Sequence, residues 1–564
     1  RSKQNSLSGT IDAGTDLDIT NTDNGSLTLA KNAVLRAGGD ISVIAGVIDN
    51  AGVLLAQNDI IFTAGSAANQ TTGRISAQKN VDLPDNFTNE GTLTGGNIAD
   101  VPPEQPDEIP DFVEPDAGVS SDKAVSSDFV KIEADKNAAT EYKPIVEKTN
   151  SGIDIVQIAS ANSDGVSRNL YTWFDVNQSG LILNNATEYV NTQLGGYVDY
   201  NYRLGLRPAK IILNEVTSAN PSSINGFIEV AGHRAGVVIA NANGIVVDNG
   251  GFINTSHAVF TTGKPVMNGG LDAYQVNGGS VIITGKGLDA KTTDRLDIVS
   301  ADAAVTAGVW GGDEINVVTG HNSVDAQNLQ TQKLNNSTAG MDNTIDIASV
   351  GGMYAGKITL VANDTDAGIK NFGNINASGS GITLASDGKL AQHGRLAAQK
   401  GSVSITAGGD IYNSQQILAG TDLQLQTKGD LLSTGTIGSE TGIINLTAAR
   451  DFTQTGSVRL EKGALNINVG SDLYQYGNIS VQQGGTLLAV QGNSGQYGTI
   501  SSEGDFTFDT KGTSQLLTVM PISLPDLPSA NMEISFLPMA AVLSRLAAMH
   551  CRQESSLPKK AALL

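Results

Sequence analysis

Cysteine is all but missing from this chain: Cys551 is the only one in 564 residues, so no intramolecular disulfide can form. Its scarcity does not exclude export, because stacked β-coils are held by backbone ladders and need no covalent staples. Aromatic residues make up only 5% and tryptophan occurs twice, which argues against a large aromatic globular core. Cations are scarce too. Lys and Arg number 35 against 57 Asp and Glu, and the net charge of −22 repels phosphate backbones, so nucleic acid is not an expected partner. No run of 18 apolar residues occurs, so no segment reads as a membrane-spanning helix.

Several chemistries lack their residues. There is no His-Glu-x-x-His, and the five histidines (His233, His257, His321, His393, His550) do not cluster at ligand spacing, so no metal is expected. His233 and His257 read as surface polar residues. Gly285-Lys286-Gly287 lacks the Ser/Thr and upstream glycine of a phosphate loop and reads as a turn. No Gly-x-Ser-x-Gly elbow occurs, and Gly311-Gly312-Asp313-Glu314 is a lone match to calcium-binding repeats. A polysaccharide-cleaving β-helix needs acids grouped on one face. Asp364 and Asp366 alternate, but they stand in Asn-Asp-Thr-Asp-Ala-Gly, a turn composition. The expectation is no enzyme, no cofactor and no small-molecule substrate.

What is abundant is glycine, 65 residues, with Asn, Thr, Ser, Asp and Val, the composition of short strands joined by turns. The strands recur. Gly381-Ile382-Thr383-Leu384, Gly401-Ser402-Val403-Ser404-Ile405 and Thr421-Asp422-Leu423-Gln424-Leu425 begin a series. It continues at Gly442, Gly463, Gly485 and Gly504, with steps of 20, 20, 21, 21, 22 and 19 residues. Earlier, the cores Leu17-Asp18-Ile19, Ile41-Ser42-Val43, Ile60-Ile61-Phe62 and Val81-Asp82-Leu83 are spaced 24, 19 and 21. A fixed period of this size predicts stacked coils that each pair with the next. A rod suggests reach and display before catalysis. Residues 100–116 break the pattern with Pro102, Pro103, Pro106, Pro110 and Pro115 among seven acids, and a linker is expected over 100–148.

Between residues 149 and 345 the segments are less regular but distinctive. Gly165–Val176 is followed by Gly180-Leu181-Ile182-Leu183-Asn184-Asn185 and Ile211-Ile212-Leu213-Asn214-Glu215-Val216. Then come Ile224–Gly232, Val237–Ile245, Gly251-Phe252-Ile253-Asn254-Thr255, Thr261–Pro265 and Arg295-Leu296-Asp297-Ile298-Val299. In order and spacing these resemble the secretion domain of two-partner secretion exoproteins, the family of filamentous haemagglutinin and the contact-dependent growth-inhibition toxins. The resemblance implies a right-handed parallel β-helix, all-β, with extra antiparallel strands. It also implies recognition in the periplasm by an outer-membrane barrel transporter.

The family's Asn-Pro-Asn-Gly motif falls on Asn241-Ala242-Asn243-Gly244, followed by Ile245, with Ala242 in place of the proline. Its Asn-Pro-Asn-Leu motif falls on Asn201-Tyr202-Arg203-Leu204, matched at its ends only. The places of a Cys-x-x-Cys found in many relatives hold Val247 and Gly250. By resemblance, Asn201, Leu204, Asn241, Asn243, Gly244 and Ile245 are the candidate transporter-recognition residues. The first turn also reads as a corner between coils.

The expected organisation is haemagglutinin-type repeats at 1–99, the linker, the secretion domain at 149–345, a repeat shaft at 346–515 and an atypical, disordered tail at 516–564. Within that tail, residues 539–549 form a candidate short helix. The expected function is a secreted or surface-displayed adhesin that binds a host or bacterial receptor. The alternatives are the delivery stalk of a contact-dependent inhibitor without its toxin domain, and a polysaccharide-cleaving β-helix. In the family the secretion domain comes first, so repeats and a linker ahead of it point to a fragment of a rearranged or fused gene.

Overall fold

The computed structural model describes residues 4–98 and 131–516, apart from short gaps of which 335–343 is the longest, and three later strand segments. The expected helix at 539–549 lies outside the described residues. The chain divides into two compact units, Arg1–Asp122 and Lys123–Leu564.

The first unit is a small parallel solenoid of three five-stranded sheets. One sheet stacks Leu17↔Ile41↔Ile60↔Val81, the steps expected from the sequence. Alternation decides what is buried: Ile41 and Val43 face inward at 0% exposure while Ser42 between them does not. A corner is fixed by an amide ladder, with Asn50 Nδ2 donating to Asn69 Oδ1 at 2.7 Å and Asn69 Nδ2 to Asn89 Oδ1 at 2.8 Å. Asn69 thus donates to the coil on one side and accepts from the other, while Asn50 Oδ1 accepts the Gly52 N–H at 3.0 Å, so neither buried amide is stranded.

The second unit is a longer parallel solenoid, and its strands form one continuous network of 40. A typical coil runs through Ser402–Ala407, Ile411–Asn413 and Gln416–Ala419. Val403, Ile405, Ile411 and Ile417 from that coil are all at most 1% exposed. Burying each such side chain contributes roughly 1.5–3 kcal/mol. The register steps over Ile382↔Val403↔Leu423↔Ile444↔Leu465↔Thr486↔Phe506 are 21, 20, 21, 21, 21 and 20 residues. The opening glycines drift by a residue against these steps. Inward apolar residues set the pitch, and glycines mark turns whose length varies.

Three additions complete this unit. Its first coil is covered by antiparallel strands: Ile132–Ala134 pairs with Val166–Phe174, and Ile145–Lys148 with Asp154–Gln157. These residues fall in the stretch expected to be linker. They lie beyond the proline run, and Ile132 and Val146 pack against the core. Second, Lys264–Asn268, Gly270–Gln275, Asn322–Asp325 and Thr331–Lys333 form an antiparallel sheet outside the solenoid. It closes over Val238, Val259, Tyr274, Val276 and Val318. Pro265 sits on the edge strand of that sheet, where a missing N–H costs no ladder bond. Third, a hairpin of Val190–Thr192 and Gly196–Val198 folds onto Ile155, Ile182 and Ala231. These are the extra antiparallel strands implied by the resemblance.

The segment expected to be a disordered tail differs in its described part. Val519–Pro521 and Met532–Phe536 are strands that continue the parallel register, Ile500↔Val519 and Phe506↔Met532. The sequence Met532-Glu533-Ile534-Ser535-Phe536 keeps the period of two that a strand needs.

Candidate functional site

The two motif turns are built alike. At the first, Asn241 is 1% exposed and ends a buried strand. Its Oδ1 accepts the backbone N–H of Asn243 at 3.0 Å, and its carbonyl accepts that of Gly244 at 3.2 Å. Its Nδ2 donates across coils to the Asn220 carbonyl and to Ser222 Oγ, both at 2.9 Å. Asn243 Nδ2 donates to the Ser218 carbonyl at 2.7 Å. Gly244 has φ +103°, a conformation that a side chain would strain. Ile245 is fully buried.

At the second turn Asn201 is also fully buried. Its Oδ1 accepts the N–H of Arg203 at 3.0 Å and its carbonyl that of Leu204 at 3.1 Å. Its Nδ2 donates to the carbonyls of Ile158 at 2.9 Å and Asn184 at 3.0 Å. Leu204 is buried in the main core. Arg203 carries the turn outward, donating from Nη1 to the Lys143 carbonyl at 2.6 Å. An asparagine that caps its own turn and reaches the neighbouring coil is the shared element.

Of the six candidate recognition residues, Asn201, Leu204, Asn241, Gly244 and Ile245 are therefore buried, and Asn243 is exposed. They belong to two separate turns. Beside the first turn lies a cleft of about 360 Å³ lined by Thr217, Ser218, Ala242, Asn243, Lys264 and Pro265 among others. Glu215 closes its floor, held by Arg168 Nη2 at 2.7 Å and Nε at 2.9 Å.

A second cleft of about 360 Å³, between the solenoid and the outer sheet, has a charged base that the sequence reading did not foresee. Asp297 is fully buried there. Its carboxylate accepts from His257 Nε2 at 2.7 Å, Arg295 Nε at 2.8 Å and Asn316 Nδ2 at 2.9 Å. Burial pushes this carboxyl up, but His257 and Arg295 outweigh it and hold it below the usual carboxylate range. His257 is thus a partner of a buried acid rather than a surface residue. Residues 257, 295, 297 and 316 meet only because successive coils stack them. Asp364 and Asp366 also part company: Asp364 is buried against His321 at 2.7 Å, while Asp366 sits in an exposed turn at φ +60°. Among the described residues no group of three or more His, Cys, Asp or Glu is placed to hold a metal.

Residues 130–392, the capped solenoid with both turns and both outer additions, match the TPS secretion domain family. Over those residues the chain carries a TPS secretion domain. Among the proteins it is similar to is one named toxin CdiA of Yersinia pestis, 42% identical over 284 residues, which cover 49% of this chain and 8% of that relative. A Yersinia mollaretii protein named tRNA nuclease CdiA is 37% identical over 309 residues, 51% of this chain and 10% of the relative. The solved secretion domain of filamentous hemagglutinin aligns over 60% of this chain and 99% of that one, at 25% identity and a TM-score of 0.42. The chain spans about a tenth or less of these curated relatives.

Proposed function

We propose that this chain is exported through the outer membrane by a dedicated barrel transporter and then displayed at the cell surface as an adhesin. The match of residues 130–392 to the TPS secretion domain family carries this reading. In it, residues 149–345 hold the export signal and the repeats at 346–515 are the shaft. The transporter reads the first turn at its exposed residues Ala242 and Asn243, beside the cleft, while Asn241, Gly244 and Ile245 hold that surface in shape. Asn201 and Leu204 do the same for the second turn. The chemistry is binding and display, not turnover, and the receptor lies on a host or bacterial surface.

The test is co-expression with and without the transporter gene from the same locus. Appearance of the chain in the medium or on intact cells only with the transporter is expected, and its loss on deleting residues 130–392. Export that ignores either change overturns the reading. A second reading, the delivery stalk of a contact-dependent inhibitor, is favoured by relatives that carry the name CdiA. A toxin-encoding segment downstream in the same reading frame, inhibiting neighbouring cells on contact, would establish it.

A further inference from the structure

We infer that the cleft between the solenoid and the outer sheet, over Asp297, binds a small organic amine. Its ammonium sits at the mouth, its apolar body along the walls and a hydroxyl at the floor. The cleft is separate from both motif turns, so this site is independent of the export reading.

The floor carries a hydroxyl with nothing in the protein to bond. Tyr274 lines the cleft and is 1% exposed, yet its oxygen has no hydrogen-bond partner among the described residues. Phenylalanine would fill the same space without desolvating a hydroxyl, so the oxygen is a cost unless something in the cleft meets it. Burial, then the Asp297 charge, push its ionisation up, so it remains a neutral O–H. His257 lines the same cleft. Its Nε2 is committed to Asp297 at 2.7 Å, and its Nδ1 has no partner among the described residues. With Nε2 donating, Nδ1 of the neutral ring is an acceptor. A donor from Tyr274 and an acceptor on His257 match a ligand hydroxyl, which accepts one bond and gives another.

The mouth is anionic. Asp164 and Asp272 line the cleft and are exposed. Both stand beside one hairpin turn: an added Cβ at Gly269 would lie 2.6 Å from Asp164 Oδ2, and one at Gly270 3.9 Å from Asp272 Oδ1. Asn162 fixes the approach, with its Nδ2 donating to the Gly269 carbonyl at 2.6 Å and its Oδ1 accepting the Asp164 N–H at 3.1 Å. Among the described residues no basic side chain pairs with either acid. Lys210 runs its stem beside Gly165 without reaching Asp164. Arg295 also lines the cleft, but it is spent. Its Nε at 2.8 Å and Nη2 at 2.7 Å grip Asp297, and its Nη1 donates to the Gln327 carbonyl at 2.6 Å.

These groups select the ligand. The walls are Val166, Ile211, Val238 and Leu271, and about 360 Å³ suits a small molecule with one ring. An anion meets two unpaired carboxylates and a net charge of −22. An uncharged ring leaves those carboxylates unpaired. A lysine side chain answers the mouth and brings no hydroxyl to the floor. An arylalkylamine with a ring hydroxyl answers mouth, walls and floor together.

The experiment titrates the whole chain with tyramine, by calorimetry and by saturation-transfer NMR. Three comparison probes accompany it: phenethylamine lacks the hydroxyl, hydroxyphenylpropionate reverses the charge, and N-acetyl-lysine methylamide is a basic side chain alone. Tyramine should bind with a Kd of about 1 mM or tighter, and each comparison probe more weakly. Y274F should weaken tyramine at least about threefold and leave phenethylamine unchanged. Combining D164N and D272N should weaken both amines at least about threefold. Both variants should keep the parent's circular dichroism spectrum and its export, which separates failure here from failure of the export reading. No tyramine binding, tighter binding of any comparison probe, or tyramine binding indifferent to either variant overturns the proposal.

Discussion

The Asn241 side chain satisfies three groups from one position: the Asn243 N–H in its own turn, and the Asn220 carbonyl and Ser222 Oγ on the neighbouring coil. Asn241→Ala strands them in a buried corner, and a loss of about 1–3 kcal/mol is expected from the urea midpoint of the chain. Ala242→Pro should do the opposite. Position two of such a turn suits the fixed φ of proline, so stability should hold or rise by up to about 1 kcal/mol in the same titration. The role of these asparagines was legible in the sequence because a turn is local. The Asp297 cluster was not, since His257 stands 40 residues away and only coil stacking makes them neighbours. Asp297→Ala leaves Arg295 and His257 without their buried partner, and a loss of about 3–5 kcal/mol is expected by thermal or urea unfolding. The depressed carboxyl contributes its full stability above the ordinary carboxylate range near pH 4 and loses it as pH falls through the lower folded value. The acid limb of the unfolding curve should therefore move up in pH if His257 is replaced by Gln.

At the scale of a coil, the same bond repeats down one edge. Asp410 Oδ1 accepts the N–H of Asp430 at 3.0 Å, Asp430 that of Asp451 at 3.1 Å, Asp451 that of Asp472 at 3.0 Å, and Asp472 that of Asn493 at 2.7 Å. Asn493 then accepts from Thr513 at 3.1 Å, so the position needs an acceptor oxygen and not a charge. The Asp430 N–H, with Arg450 and Lys389, holds Asp410 below the usual carboxylate range. Asp410→Asn should match the parent at pH 7 and be less acid-sensitive, while Asp410→Ala should cost about 1 kcal/mol at that pH, both read by denaturant titration. Gly463 tests the turns. Its φ is +139° and an added Cβ would lie 1.7 Å from the Gly442 carbonyl oxygen. Gly463→Ala should speed amide exchange in the two flanking coils by at least tenfold. The repeat itself was readable because inward apolar residues recur at a nearly constant interval. The antiparallel strands at 132–148 were hidden, because a proline-rich run next to them dominated the local composition.

For the second unit as a whole, stability is nearest-neighbour. Register places Gly442 opposite Gly463, so residues 442–462 are one full coil. Removing them should leave a folded, shorter solenoid with a smaller urea m value, whereas removing half that stretch should break the pairing at the cut and split the single urea transition in two, because the coils on either side no longer meet in register. That all-β, stacked architecture was legible from period and composition alone. The hairpin and outer sheet were foreseen only through resemblance, since their strands carry no period and the outer sheet joins Gly270–Gln275 to Asn322–Asp325 across a long stretch of chain.

Strands Ile132–Ala134 and Ile145–Lys148 run against the first coil, so that terminus offers no parallel template. The second unit is therefore closed at that edge to parallel pairing with another chain, so a change in its length has to come from whole turns inserted between its coils.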